Sequence, residues 1–320
     1  MTRRLSAPPL LIGLGAGFAT ALLFAALVGG TVLALPLFLL APLPLGIAAI
    51  GWGPTAGLVA TATAAATVWV GFGTPAGVSL VLLDALPTLA AAHLLGLARH
   101  TDPSDPTSRE WYPLGRALSA ICVTVAVATV IGGIAIGFDP QETAAQVSAA
   151  YRQMMVRGGV SPSDLPSASQ IDPMVRGTVL LFPAFFPASW LMVIVFDLWA
   201  AVKIVAKSGR LARPFDDVAA VELPPAAGLV FAAALVTAFT EGSLGVLASI
   251  VAGTLFSAHF LVGAGVVHTL ARRSQARIII LAFIWGLVLL FTLPAALVAL
   301  VGLLEPYVGL RRRKPSADPF

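Results

Sequence analysis

The chain alternates between long apolar runs and short turns that are polar or contain glycine and proline. A helix needs about 20 residues to cross about 30 Å of hydrocarbon. Runs of roughly this length cover residues 10–28, 32–50, 54–71, 76–98, 116–137, 176–205, 225–241, 244–271 and 278–303. The pattern predicts an all-α fold, a polytopic bundle of transmembrane helices that forms a single domain over residues 1–310.

Composition agrees with lipid as the main solvent. Of 320 residues, 58% are hydrophobic and 11% are charged, whereas about a quarter of a soluble domain is charged. The net charge of +4 does not indicate nucleic-acid binding, because the basic residues cluster beside apolar runs, as in cytoplasmic loops that face anionic headgroups. The single cysteine, Cys122, excludes an intramolecular disulfide.

The distribution of Lys and Arg predicts the orientation. We expect the chain to lie in a bacterial inner membrane with its N-terminus in the cytoplasm. This orientation places twelve of the 19 basic residues on the cytoplasmic side. A simple ninth crossing would put the basic tail, residues 311–320, outside. Since Pro294 lies near the middle of the 33-residue stretch 278–310, we expect eight spans followed by a broken or re-entrant hairpin.

One outer loop, residues 138–175, has the pattern of an amphipathic helix. Residues 139–142 read as a capping box with proline at the first helical position, and Gly158 and Gly159 end the run. The residues predicted to share its apolar face are Val147, Tyr151, Met154 and Met155. Such a helix either rests in the headgroups or covers the bundle from the outer side.

The first run carries a stripe of small residues at every fourth position. The stripe consists of Gly13, Gly17, Ala21, Ala25 and Gly29. Small residues at this spacing let another helix approach closely. Two interpretations remain open: packing within the chain, or a docking face for another membrane subunit.

Ionisable groups inside apolar runs are functional candidates, because they are costly to bury in lipid. Asp84 and Asp197 are such groups, and Trp190 lies nearly in register with Asp197. Pro183 and Pro187 are expected to kink or break the same helix, and broken helices occur at transporter binding sites. These five residues form the predicted ligand site, although a kink that serves packing alone is an equal alternative.

The sequence gives no support for metal binding, catalysis or ATP hydrolysis. His259 and His268 are nine residues apart and fall on opposite faces of a helix, which excludes a simple pair of metal ligands. The chain has no Walker A, HExxH or GxSxG motif. We therefore expect no metal, no cofactor, no enzymatic activity and no use of ATP by this chain alone.

The closing segment, Gly302 to Arg313, resembles the C-terminal signature of the YybS-like family of bacterial multi-pass membrane proteins, whose function is unknown. Members tend to end in a glycine, an acidic residue, an aromatic residue and a basic cluster. Here Glu305 replaces the commoner Asp, and Tyr307 replaces the commoner Trp. That family is distantly similar to the substrate-binding subunits of energy-coupling-factor transporters, which dock onto a membrane partner through small residues of their first helix.

Two functions are consistent with these patterns. The first is a transport component that binds a small molecule near Asp84, Trp190 and Asp197 and depends on a partner subunit for energy. The second is a membrane scaffold or assembly factor for envelope enzymes. The basic loops and the outer amphipathic helix favour the second.

Overall fold

The computed structural model describes residues 9–101, 108–161, 165, 167–214, 219 and 221–312. Most of these residues are helical, and the predicted all-α bundle is confirmed. Two short strands, Ala98–His100 (β1) and Arg109–Trp111 (β2), pair antiparallel in the connection after the fourth predicted span.

The first half of the bundle consists of helices joined by short connections, apart from the connection 96–113 that contains the two strands. These helices are Pro9–Ala25 (α1), Ala34–Leu39 (α2), Pro42–Trp52 (α3), Pro54–Phe72 (α4), Thr74–Ser79 (α5), Leu86–Leu95 (α6) and Leu114–Ala135 (α7). A π-helical segment, Leu80–Ala85, joins α5 to α6. Two glycines permit the tightest turns: Gly53, with φ +87°, and Gly73, with φ +86°, each precede a helix that has proline in its first turn.

The second predicted span is interrupted near its start. Pro42 and Pro44 lack the N–H groups that would continue α2 into α3, and the helix stops at Leu39. The buried Thr20 hydroxyl donates a hydrogen bond of 3.0 Å to the Ala41 carbonyl at this break. A hydroxyl from α1 therefore provides a hydrogen bond to the backbone at this break.

The second half of the bundle is built around two long helices. Its helices are Pro140–Arg157 (α8), Ala168–Lys207 (α9), Pro225–Thr237 (α10), Gly242–Ala271 (α11), Arg277–Leu290 (α12) and Thr292–Val308 (α13). α11 is the most enclosed of the long apolar helices described and contacts α7, α9, α10, α12 and α13. The main core lies between α7, α9 and α11.

The predicted outer helix forms as α8, but its packed face differs from the prediction. The Asp139 side chain caps it by accepting from the N–H groups of Gln141 and Glu142. Ala144 and Ser148 are buried, and the predicted Tyr151 packs against the same cluster, whereas the expected apolar positions Val147 and Met154 are exposed.

α9 begins at Ala168, inside the segment predicted as loop 138–175. Ile171 and Val175 of this extension pack against Ala144 of α8, and Arg152 pairs with Asp172 at 2.8 Å. The sequence pattern missed these turns because hydropathy alone marked the end of the apolar run. α8 therefore packs on the extended start of α9.

Seven helical segments of the described chain are long and apolar enough to cross a membrane. They are 9–28, 34–52, 54–72, 74–95, 114–135, 171–207 and 242–271. The predicted span 225–241 forms the 13-residue α10, which is about 20 Å long.

One face of the bundle collects the basic connections, and we call it the basic face. It comprises residues 97–101, 108–113, 208–214, 219, 221–224, 272–276 and 309–312. Contacts tie these connections together: Arg213 Nη1 donates to the Tyr112 carbonyl at 2.9 Å, and Arg311 Nη1 donates to the Ala219 carbonyl at 2.7 Å. Since α9 and α11 both end at this face, α10 must return the chain to the opposite face between them.

The C-terminal pair α12 and α13 forms the expected bent hairpin, with an angle of 119° between the two helices. Its ends meet at the basic face, where Arg273 Nη2 donates to the Arg311 carbonyl at 2.9 Å. Glu305, which is 2% exposed, accepts from the N–H groups of Leu310 and Arg311 and pairs with the Arg311 side chain at 3.0 Å. The chain therefore leaves the hairpin on the side from which it entered.

Candidate functional site

The two acidic residues of the predicted site are buried in the bundle. Asp84 lies on the π-helical segment and Asp197 on α9, and each is 1% exposed. A hydrogen bond from Trp190 of α9 to the Leu83 carbonyl, next to Asp84, brings the two segments together. None of their four carboxylate oxygens has a hydrogen-bond partner among the described residues. Buried polar groups are normally satisfied, so this cluster is unusual.

A hydrogen bond to a carbonyl that Pro87 leaves without its helical donor holds Trp190 beside Asp84. Pro87 has no N–H group to offer to the Leu83 carbonyl, four residues before it. The Trp190 indole N–H donates to this carbonyl at 2.8 Å. The same ring stacks on Phe186, with centroids 5.9 Å apart. The π-helical segment, a feature often found at functional sites, is thus attached to α9 next to Asp84.

Pro183 and Pro187 are buried on the same helix as Trp190, but the predicted break does not form. α9 runs without interruption from Ala168 to Lys207. α11 approaches closely here: a Cβ on Gly253 would overlap the Ala184 backbone, and the Ser257 hydroxyl donates to the Ala188 carbonyl at 2.9 Å. These contacts agree with the packing alternative for the two prolines.

Thr88 was not among the site residues predicted from the sequence. It lies one turn after Asp84 and is 1% exposed. Its hydroxyl has no hydrogen-bond partner among the described residues. Threonines elsewhere in these helices, such as Thr129 and Thr269, donate to the carbonyl four residues earlier. No sequence signal separates Thr88 from them, because the difference lies in its tertiary surroundings.

Gly46 of α3 marks where Thr88 and α9 meet. A Cβ built on Gly46 would lie 3.6 Å from the Thr88 methyl group and 3.9 Å from the Leu198 side chain. Leu198 follows Asp197 directly. Asp84 and Thr88 are one turn apart, and α9 packs beside both residues through Trp190 and Leu198. We call the buried residues Asp84, Thr88 and Asp197 the carboxyl cluster.

A cavity of about 1090 Å³ occupies the half of the bundle next to the basic face. α3, α6, α7, α9 and α11 contribute to its wall, which is mainly apolar and includes Leu89, Ala264 and Leu198. His93, His268, Arg213 and Arg272 also line it, and all four belong to the ends of helices or connections at the basic face. None of the five predicted ligand residues lines this cavity, so their role in binding stays a prediction.

The small-residue stripe of α1 packs inside the chain. A Cβ on Gly13 would lie 2.7 Å from the Ala56 carbonyl oxygen, and one on Gly17 would lie 2.5 Å from that of Ala60, both on α4. Ala21 is also buried. Ala25 is partly exposed, and Gly29 ends the short 3₁₀ turn that follows α1. The intrachain interpretation therefore accounts for the buried part of the stripe.

The lone histidines and the cysteine have ordinary environments. His259, which is 2% exposed, has Nδ1 at 2.7 Å from the Leu255 carbonyl and stacks on Phe231. The Cys122 thiol faces the Thr254 carbonyl at 3.9 Å. In the described part of the chain, no three His, Cys, Asp or Glu side chains come together as a metal-binding group.

Comparisons with known proteins place the chain in a family but not beside a characterised relative. No curated protein and no solved structure matches it. One family model matches residues 18–305, a stretch that extends from α1 to the buried Glu305 near the end of α13. The chain belongs to the family described as "Predicted membrane protein (DUF2232)".

Proposed function

We propose that the protein is a component of a membrane transport system and that it binds a small molecule in the cavity beside the basic face. The cavity is the observation that carries this proposal. Its volume of about 1090 Å³ is at the upper end of ordinary ligand sites, which measure about 300–1000 Å³.

The residues that line the cavity indicate which class of small molecule it would bind. Apolar side chains from several helices favour a ligand with an apolar body. Arg213 and Arg272 bring positive charge to the end at the basic face, where an anionic group of the ligand would be stabilised. An amphipathic anion fits both features.

Energy for transport would come from a partner subunit, since the sequence has no Walker A motif. The resemblance to the YybS-like family, and through it to energy-coupling-factor binding subunits, supports this part.

We further propose a bacterial inner membrane location with the N-terminus and the basic face in the cytoplasm, because Lys and Arg concentrate on cytoplasmic connections. We also propose that the protein is not an enzyme.

The proposal can be tested with a substitution that fills the cavity. Ala264→Phe places a ring into it from α11, whereas Ala232→Phe adds the same ring at an exposed position of α10 and serves as the control. Protein purified in mild detergent is analysed by native mass spectrometry for bound small molecules. We expect a bound amphipathic anion on the wild type and on the control, and its loss from Ala264→Phe. Equal occupancy in all three proteins would refute the cavity as the site.

The scaffold alternative is favoured by one observation: α12 buries none of its residues in the described structure. A helix with so few contacts to its own chain leaves its surface open to lipid or another protein. Copurification separates the two functions, since a scaffold would retain its protein partners in Ala264→Phe and carry no small molecule in any variant.

A further inference from the structure

The carboxyl cluster has no source of positive charge in the described chain. Asp84 and Asp197 form no ion pair with any described Lys, Arg or His side chain. Lys203, the next cation along α9, lies over the Trp199 ring at 4.2 Å from its centroid. An isolated carboxylate is very costly to hold in an apolar medium. Something other than a described side chain must therefore compensate the pair.

Protons alone would leave the cluster unsatisfied. A protonated carboxyl group is a hydrogen-bond donor, and neither Asp84 nor Asp197 has an acceptor within hydrogen-bond distance among the described residues. The Thr88 hydroxyl also lacks a partner. Each unsatisfied buried group costs about 1–3 kcal/mol. A bound species that contacts several of these oxygens together removes that cost.

We propose that Asp84, Thr88 and Asp197 bind a sodium ion within the membrane. The four carboxylate oxygens and the Thr88 hydroxyl are hard oxygen ligands, which suit such a cation. Magnesium retains several waters and is seldom held by an all-protein cage, and calcium takes 6–8 oxygens, so neither fits a buried cluster with few ligands. One sodium ion and one proton together balance the two carboxylates.

The ion would join two helices that also line the cavity. Leu89 follows Thr88 on α6, and Leu198 follows Asp197 on α9, and both leucines face the cavity. The hydrogen bond from Trp190 already ties the π-helical segment to α9. A sodium ion adds a second tie, so its binding sets the spacing of two cavity walls. The ion site itself does not depend on which molecule the cavity holds.

The test measures sodium binding to the purified protein at fixed pH and ionic strength, with choline chloride as the replacement salt. Equilibrium binding of radioactive sodium gives the stoichiometry, and the thermal unfolding midpoint gives the stabilisation that a ligand of the folded state must produce. We expect one saturable sodium per chain, and a rise in midpoint with sodium that potassium, magnesium and calcium do not reproduce.

Three variants and one control assign the ligands. Asp84→Asn and Asp197→Asn should abolish sodium binding. Thr88→Val, which keeps the side-chain shape, should weaken it about tenfold, the effect of losing one contact to a charged group. Asp172→Asn, in the exposed ion pair with Arg152, should bind sodium as the wild type does.

The proposal is overturned if the wild type binds no saturable sodium, or if its midpoint responds to pH but not to sodium. It is also overturned if Thr88→Val binds as tightly as the wild type. These results need no Asp variant to fold. Because Ala264→Phe leaves the carboxyl cluster intact, loss of the small molecule with retained sodium binding separates the two sites.

Discussion

Gly302→Ala tests the close crossing of α11 and α13, on which the position of the C-terminal hairpin depends. A Cβ on Gly302 would lie 2.6 Å from the Gly263 nitrogen and would overlap the His259 carbonyl oxygen. Ordinary contacts begin at 3.4 Å, so the helices must separate by at least about 0.8 Å (3.4 − 2.6). α11 is held by α7, α9 and α10, and the obstacles are backbone atoms that cannot rotate away.

The expected loss follows from two opposing effects. Overpacking costs about 1–3 kcal/mol, and backbone obstacles place this site near the upper end. Alanine regains up to about 1 kcal/mol over glycine within a helix. We therefore expect Gly302→Ala to lower the free energy of unfolding by about 2 kcal/mol.

The control is Gly286→Ala on α12, where a Cβ would meet nothing within 4 Å. It carries the same chemical change without the obstacle, so its stability should equal or exceed that of the wild type. Thermal unfolding of the three proteins in one detergent, followed by size-exclusion chromatography, measures the difference. If Gly302→Ala unfolds at the same temperature as Gly286→Ala, the close crossing is refuted.

Three further changes test single contacts through the unfolding midpoint. Glu305→Gln removes the carboxylate that pairs with the buried Arg311 at 3.0 Å and leaves the 3.6 Å contact of Arg311 with the more exposed Glu222. We expect a loss of about 2–3 kcal/mol, below the cost of a fully unpaired buried charge; a loss below 1 kcal/mol would contradict the burial of this pair. Trp190→Phe keeps most of the ring but removes the donor to the Leu83 carbonyl, which should cost about 1–3 kcal/mol; an unchanged midpoint would mean that this bond is absent. Asp139→Ala removes the cap of α8 and should cost about 1 kcal/mol, with increased hydrogen exchange confined to that helix; protection unchanged in its first turn would refute the cap.

Much of the architecture could be predicted because lipid imposes a simple rule on the sequence. A membrane helix must be long and apolar, so the runs locate the spans directly. The hairpin was predictable as well, since the basic tail and Pro294 conflict with a simple crossing. The start of α9 escaped this rule because Ile171 and Val175 are buried by α8, a contact that hydropathy does not report.

The candidate site was predictable only in its charged members. Asp84 and Asp197 stand out because carboxylates are rare in apolar helices. Thr88 does not stand out, since a threonine in a membrane helix normally bonds its own backbone. The stripe on α1 shows the same limit: spacing predicts a close helix neighbour, but only the three-dimensional arrangement identifies α4 as that neighbour.

The bent hairpin also bears on how the chain enters the membrane during synthesis. Its two ends meet at the basic face, through Arg273 and the Arg311 carbonyl, so residues 309–312 need not pass through hydrocarbon. Moving one Lys or Arg to the bilayer centre costs about 2.5–3.5 kcal/mol, and four such residues stand at 311–314. The hairpin can therefore insert from one side as a folded pair, after α11 is in place, without translocation of Arg311 and Arg312.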